Sequence, residues 1–443
     1  MNKAWIVTIK MGFGHLRAVF PLRHLANQQI LIEGSNEFTS KSEVKRWQNI
    51  EKFYYFLSKA QQVPFLGKYA LNLLHSIQFI PSFHNKRNLE KPNLAVKYVS
   101  FLISNYGLGK SIVNRVKTEN LPVIHAYFAT ALAVDKNCPT TPDNYILICD
   151  SDLHRVWVAA NPAQSKIKYL VPGNHAKNRL MKYGVPEERI FVTGFPLPKD
   201  NIGENQSVLK QDLWDRLLRL DPKRKFFALS GDHVNQYLQR ILNDDLPITG
   251  DGIPTVMLAI GGSGVYSEWT KPVLKSLQNK IRERKLKFII SIGTNEHIFT
   301  EVSKYIHELQ LEDICDNGIE LIFSQDIYTY FEKFNKALRN TDILWTKPSE
   351  LSFYVALGIP ILIMPPVGTH EECNGQWLKK IHAGIEQPGS LEFTNEWLFE
   401  LIENGNFADI AFNGYLKARK FGTYKIEELL ATGKMKIETD VLD

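Results

Sequence analysis

The stretch from Thr341 to Trp377, TDILWTKPSELSFYVALGIPILIMPPVGTHEECNGQW, constrains the fold of this chain more than any other. Ile343–Trp345 is a short apolar run with strand character, Lys347-Pro348-Ser349 is a turn, and a helix is predicted from about Glu350. Gly358-Ile359-Pro360 ends that helix, Ile361–Met364 is a second apolar strand, and a Pro/Gly turn leads into another helix start. Strand, turn, helix and strand at this spacing form a βαβ unit, which calls for a parallel sheet. Both helix starts follow the carboxyl end of a strand, where open α/β sheets hold their ligands. Helix N-termini offer unpaired N–H groups and partial positive charge, so an anion is the natural guest.

A chain of 443 residues is too long for one ordinary domain, and 44% hydrophobic with 23% charged residues suits globular domains with sizeable cores. No apolar run approaches the roughly 20 residues that cross a bilayer. The opening MNKAWIVTIKMGFGH enters a strand directly, without a signal-peptide core, so a cytoplasmic location is expected. Cys138, Cys149, Cys315 and Cys373 stand far apart with no C-x-x-C pair, which points to free thiols and no structural metal. The net charge of +6 is unevenly spread. From Asn36 to Asn120 thirteen Lys or Arg face five Glu and no Asp, a local +8 that leaves the rest of the chain at −2. Within that region, residues 64–84 place Phe65, Tyr69, Leu73, Leu74, Ile77 and Ile80 on one side of a predicted helix. With Lys59, Lys86 and Arg87 flanking it, the stretch 59–87 is a candidate for contact with an anionic membrane surface. Its aromatics fit a packed helix better than a base-stacking platform, so nucleic acid is not an expected partner.

Along the chain, Ala4–Ile9 is a buried-strand candidate leading into Lys10-Met11-Gly12-Phe13-Gly14-His15 and a helix. A glycine turn between strand and helix lets backbone N–H groups approach a ligand, although position 17 of the G-x-G-x-x-G pattern is Arg. Further strands are predicted at Leu121–His125, Tyr145–Cys149, Lys168–Val171 and Ile190–Thr193. Alternating with helices, they make residues 1–200 one doubly wound domain with a basic insertion at about 36–120. The polar stretch 201–252, with a helix around Leu209–Leu220, reads as a linker plus insertion. Thr255–Ile260 running into Gly261-Gly262-Ser263-Gly264 opens a second α/β domain over 253–408, with strands at Phe288–Ile292 and Ile319–Phe323. Helices at 409–443 close the chain.

At four places the sequence resembles GT-B glycosyltransferases of the family 28-like group. That group contains the monogalactosyldiacylglycerol synthases and the transferase adding N-acetylglucosamine to the lipid-linked peptidoglycan precursor. MGFGH at 11–15 sits where the group has its Gly-rich loop ending in His, and CDSDLHRVW at 149–157 resembles its Asp-Leu…Trp segment. Residues 169–197 are similar to the stretch closing the group's first domain, and 346–374, with the GGSG turn before them, to its nucleotide-binding region. The resemblance implies two Rossmann-like doubly wound domains facing across a cleft, the first for the acceptor and the second for the donor. The last helices are expected to cross back to the first domain. It further implies an inverting, metal-independent transfer from a nucleoside diphosphate sugar, UDP foremost, to a lipid or lipid-linked acceptor at the inner face of a membrane. The nucleotide sugar is a co-substrate, and no cofactor is expected. A sugar-nucleotide 2-epimerase and a non-catalytic binding protein of the same shape are the two alternatives. One departure stands out: counting back from Gly358, the group's ribose-binding Glu position holds Phe353, and Glu350 lies nearer the helix start.

The chemistry needs a stabilised leaving group, a base for the acceptor hydroxyl and a dry cleft. Gly261–Gly264 and the Lys347–Ser349 turn are candidates for the diphosphate, with Lys347 as a point charge. Glu350 is the candidate for the ribose, and Glu371 and Asn374 match the group's E-x-x-N pattern at the donor sugar, beside His370. Thr369 and Glu372 form a T-x-x-E pair, expected to cap their helix. His15, above the acceptor-side loop Gly12, Phe13 and Gly14, is one candidate base; Asp152, with His154 placed to pair with it, is the other.

Overall fold

The computed structural model describes residues 3–10, 12–35, 37–60, 79–83, 89–231, 236–238, 240, 252–261, 264–315 and 317–435. The predicted amphipathic helix lies outside these apart from 79–83, and Gly262 and Ser263 lie outside them as well.

Two six-stranded parallel sheets organise the chain. In the first the strands are β1 (Trp5–Ile9), β2 (Leu31–Glu33), β3 (Val123–His125), β4 (Asn144–Leu147), β5 (Lys168–Val171) and β6 (Ile190–Val192), in the order β2-β1-β3-β4-β5-β6. In the second they are β7 (Thr255–Ala259), β8 (Lys287–Gly293), β9 (Ile319–Phe323), β10 (Ile343–Thr346), β11 (Ile361–Ile363) and β12 (Gly384–Glu386), in the order β12-β11-β10-β7-β8-β9. This is the paired Rossmann-like, GT-B arrangement. Strand order reverses between β1 and β3 and again between β7 and β10, and a parallel sheet opens a crevice at such a point. The central strands are apolar without alternation because helices cover both faces.

The stretch taken for a linker contributes to a core instead. Leu209, Leu213, Leu217 and Leu220 of the Ser207–Leu220 helix are fully buried in the apolar cluster that contains the second sheet. Their four- and three-residue spacing makes one apolar stripe, and Asp215 and Arg216 between them are buried as well. Gly358, at φ +68°, ends the preceding turn, and a Cβ there would meet Leu213 Cδ1 at 2.5 Å. The predicted helix at Glu350 is an eight-residue 3-10 helix, Glu350–Leu357, buried from Leu351 onward. The Gly422–Thr432 helix lies on the first domain, where Thr423 Oγ1 donates to the Leu197 carbonyl (2.6 Å) and Lys199 pairs with Glu427 (2.7 Å).

One buried pair in the first domain makes a prediction. Glu33, ending β2, accepts from the Ile112 N–H (3.1 Å), and neighbouring Glu43 accepts from the Ser111 N–H and hydroxyl (3.0 and 2.6 Å). Burial, and then the charge of Glu43, push the Glu33 carboxyl up to about 8. The folded chain therefore keeps a proton that the unfolded chain releases above its ordinary 4.5. Stability should fall as pH rises from about 4.5 to about 8, at roughly 1.4 kcal/mol per pH unit from this group. Urea unfolding at pH 5.5 and 8 should show that slope in the native chain and lose it in Glu33→Gln; equal slopes in both would refute the assignment.

Candidate active site at the domain seam

On the first-domain side the site begins where β1 ends. Gly12, at φ +68°, turns the chain, and the short helix Gly14–Val19 starts directly against the second domain. A Cβ on Gly14 would lie 2.9 Å from Glu350 Oε2, so a larger residue there would displace the Glu350 carboxylate from its present place. His15 is half-buried, its Nδ1 3.9 Å from Cys149 Sγ and its ring beside those of Tyr127 and Trp157, at 5.2 and 6.1 Å between centroids. Burial lowers the imidazole to about 4; His370 adds to that effect, while Asp150 and a bond to the Ala126 backbone oppose it. At neutral pH His15 is therefore an unprotonated base.

The segment after β4 differs from expectation. Asp152 does not pair with His154. Its carboxylate accepts from Arg179 Nε and Nη2 (2.7 and 2.8 Å), from His175 Nε2 (2.8 Å) and from the Leu153 N–H (2.8 Å). Burial alone would raise this carboxyl, but the His175 and Arg179 bonds prevail and hold it below the usual range. A carboxylate with four donors and a stabilised charge is a poor proton acceptor, so Asp152 is a structural anchor. His154 is buried, which lowers it to about 3, and its Nδ1 has no protein hydrogen bond. Asp150 stands two residues earlier, half-buried, accepting from Asn374 of the second domain.

On the second-domain side, Gly261, Lys347 and the turn after β11 converge at the β7/β10 reversal. Lys347 Cε lies 4.0 Å from where a Cβ on Gly261 would stand, and Lys347 Nζ pairs with Glu371 Oε1 at 2.5 Å. Glu371 Oε2 accepts from the Val367 N–H (2.7 Å), and Tyr266 donates to the Pro365 carbonyl (2.6 Å), which ties the same turn down. The expected Thr369–Glu372 cap does not form. The helix Thr369–Lys380 has Gly368 as its N-cap with no side-chain bond, and Glu371 serves the free N–H before it. Glu371 thus spends both oxygens on protein partners. The His370 ring folds back over Gly368, with Cε1 3.0 Å from a Cβ built there. Ser349 is the N-cap of the 3-10 helix and makes no side-chain cap bond.

Glu350 and Asn374 reach across the seam rather than outward. Glu350 Oε1 is 3.2 Å from Arg17 Nε. The Arg17 guanidinium is buried over the rings of Phe334 and Phe331, at 4.2 and 4.5 Å from their centroids. The arginine at the third position of the glycine pattern is therefore a first-domain plug in a second-domain aromatic pocket. Asn374 is fully buried; its amide donates to Asp150 Oδ1 (2.9 Å) and its oxygen accepts from the Ser151 N–H (2.8 Å). Phe353 stacks on Phe195 (5.0 Å, 13°) and tilts against Trp377 (5.1 Å), so it offers nothing to a ribose hydroxyl.

The structure thus gathers Gly12, Phe13, Gly14, His15, Glu350 and His370 at the seam, and Gly261, Lys347 and Glu371 beside it. Asp152 sits in the Arg179 cluster, and buried His154 lies near both that cluster and His370. Asp150 and Arg17 went unrecognised in the sequence. Asp150 had a local signal, as the first residue beyond the predicted strand; Arg17 had none except its break of the glycine pattern. Among the described residues no three His, Cys, Asp or Glu are grouped to hold a metal ion, and no helix is long and apolar enough to cross a membrane.

Residues 250–425 match the model of a domain of unknown function (DUF6938). A processive diacylglycerol beta-glucosyltransferase of Bacillus cytotoxicus is 22% identical over 243 residues, 54% of this chain and 49% of that protein. The protein of the same description from Bacillus mycoides is 21% identical over the same shares. The match spans about half the length of these curated relatives. Among solved structures, Acinetobacter baumannii MurG aligns over 96% of this chain and 99% of its own, at 13% identity and a TM-score of 0.49. A UDP-GlcNAc 2-epimerase from Neisseria meningitidis aligns over 96% and 99%, at 14% identity and a TM-score of 0.46.

Proposed function

We propose that this chain is a glycosyltransferase that moves a sugar from a nucleoside diphosphate, UDP foremost, to a lipid or lipid-linked acceptor, with inversion and without a metal. The observation that carries the proposal is the sequence likeness to diacylglycerol glucosyltransferases over 243 residues. The facing of two strand-order reversals at one seam agrees with it. The donor diphosphate would lie over the Gly261 turn and Lys347, and the ribose would take Glu350 from Arg17. The neutral His15 imidazole would accept the acceptor's hydroxyl proton as that oxygen bonds to the anomeric carbon. The bond from that carbon to the diphosphate breaks on the opposite face, and the leaving group carries its electron pair to the cationic and N–H groups of the second domain.

A lipid acceptor is supported by the first domain's surface. Leu94, Tyr98 and Phe101 of the Leu94–Tyr106 helix are 80%, 59% and 47% exposed and fall on one helical face within the basic region. That region would meet the inner face of an anionic membrane. The test is to incubate the chain with UDP-glucose, UDP-galactose or UDP-GlcNAc and diacylglycerol vesicles. Mass spectrometry should find a glycosylated lipid and free UDP. A C2-epimerised nucleotide formed without lipid would replace this reading by an epimerase, and no nucleotide binding at all would remove catalysis from it.

A further inference from the structure

The pattern that suggests a sugar contact for Asn374 is contradicted by what its side chain touches. Asn374 has no exposed surface, and both its polar atoms are used on consecutive residues of the other domain: Asp150 Oδ1 at 2.9 Å and the Ser151 N–H at 2.8 Å. Those residues directly follow Cys149, whose Sγ is 3.9 Å from His15 Nδ1. Asp150 is also the carboxylate whose charge raises the basicity of His15. The helix that carries Asn374 holds His370 and Glu371 in its first turn, so a single rigid element spans the donor side and the base.

We propose that Asn374 is a positioning residue acting across the seam: it holds the Asp150 carboxylate beside His15, so that the base of the first domain is completed by the second. The proposal rests on the transferase reading, and it gives that reading a reason for domain closure. With the domains apart, Asp150 and the Ser151 N–H lose their partner and turn to water; with them together, carboxylate and imidazole are set in a dry seam. An amide suits this task because it supplies one donor and one acceptor at once, without adding a charge.

Three full-length variants decide it: Asn374→Ala, Asp150→Asn, and the exchanged pair Asp150→Asn with Asn374→Asp. In the exchanged pair the new carboxylate accepts from both the position-150 amide and the Ser151 N–H, so the bond pattern survives while the charge moves from position 150 of the first domain onto the second-domain helix. Asn374→Ala is expected to lower kcat at least tenfold, with UDP affinity by calorimetry and donor KM unchanged within twofold. The exchanged pair should recover the melting temperature lost in Asn374→Ala and still lack turnover. A tenfold loss of UDP-sugar affinity in Asn374→Ala would make Asn374 a sugar ligand, and recovery of turnover in the exchanged pair would make it only a structural peg; either overturns the proposal. If the native chain transfers nothing, the transferase reading fails by itself. The melting temperatures then still decide the cross-domain bond, which is refuted if the exchanged pair recovers none of the loss.

Discussion

Replacing His15 by Ala should reduce transfer by about 10²- to 10⁴-fold, the range for loss of a positioned general base. Nucleotide affinity should stay within about twofold, since the ring lies on the acceptor side of the seam, and the melting temperature should move little. His15 is half-buried, and its removal takes away one bond to the Ala126 backbone and a long thiol contact at 3.9 Å. The pH profile supplies the second readout. A base lowered to about 4 is unprotonated through the neutral range, so activity should hold as pH falls to about 5 and drop below that. If His15→Ala retains more than a third of the native kcat, the base lies elsewhere. Asp152 would not be the replacement, because Asp152→Asn disturbs the buried Arg179 pair and should show itself first as lost stability.

Asp342→Ala should cost about 3–5 kcal/mol, the usual penalty for leaving a buried charge without its partner. Asp342 is fully buried just before β10 and takes Arg219 Nη2 at 2.8 Å, Arg219 Nε at 2.9 and 3.0 Å and the Thr255 N–H at 2.8 Å. Arg216 Nε is 4.0 Å away, and that side chain also donates to the carbonyls of Thr341 and Leu357, both at 2.9 Å. Removing the carboxylate takes from Arg216 and Arg219 the buried anion they share and from a strand N–H its acceptor, and it loosens the Ser207–Leu220 helix from the second sheet. Urea unfolding measures the loss, with Asp212→Ala as the control. Asp212 pairs at 3.1 Å with Arg339, whose side chain is half exposed, and a pair open to water on that side should contribute less, about 1 kcal/mol. Equal losses in the two variants would sink the argument that burial makes the difference.

The strands that sequence patterning locates well are those whose apolar run is long and bounded by glycine or proline, such as Trp5–Ile9 and Thr255–Ala259. The two it misses, Leu31–Glu33 and Gly384–Glu386, are three residues each and stand at sheet edges. Such pieces become strands only because a neighbouring strand offers them a hydrogen-bonding edge. The leucines from Leu209 to Leu220 carry a helical stripe that was legible, but what the stripe would pack against was not. The surrounding charges give the segment the composition of a linker, yet Arg216 and Arg219 turn inward to Asp342.

The same division runs through the site. Strand, glycine turn and helix at Gly12–Gly14 and again at Gly261, and the βαβ unit around Gly358, are written in local spacing, because turns and helix starts depend on a few neighbouring residues. Two parallel sheets follow from that spacing, while the facing of their crevices is implied only by the family resemblance. Which polar groups remain available to a ligand does not follow. Glu350 meets Arg17, Lys347 meets Glu371, Asp152 meets Arg179, and Asn374 meets Asp150, the last pair across 224 residues and the first across more. A carboxylate or an amide can satisfy its hydrogen bonds with any partner the fold brings within about 3 Å. Only the packed domains decide that choice, and here they assign Asn374 to Asp150 and leave the His15 imidazole, lowered to about 4 by burial, at the seam.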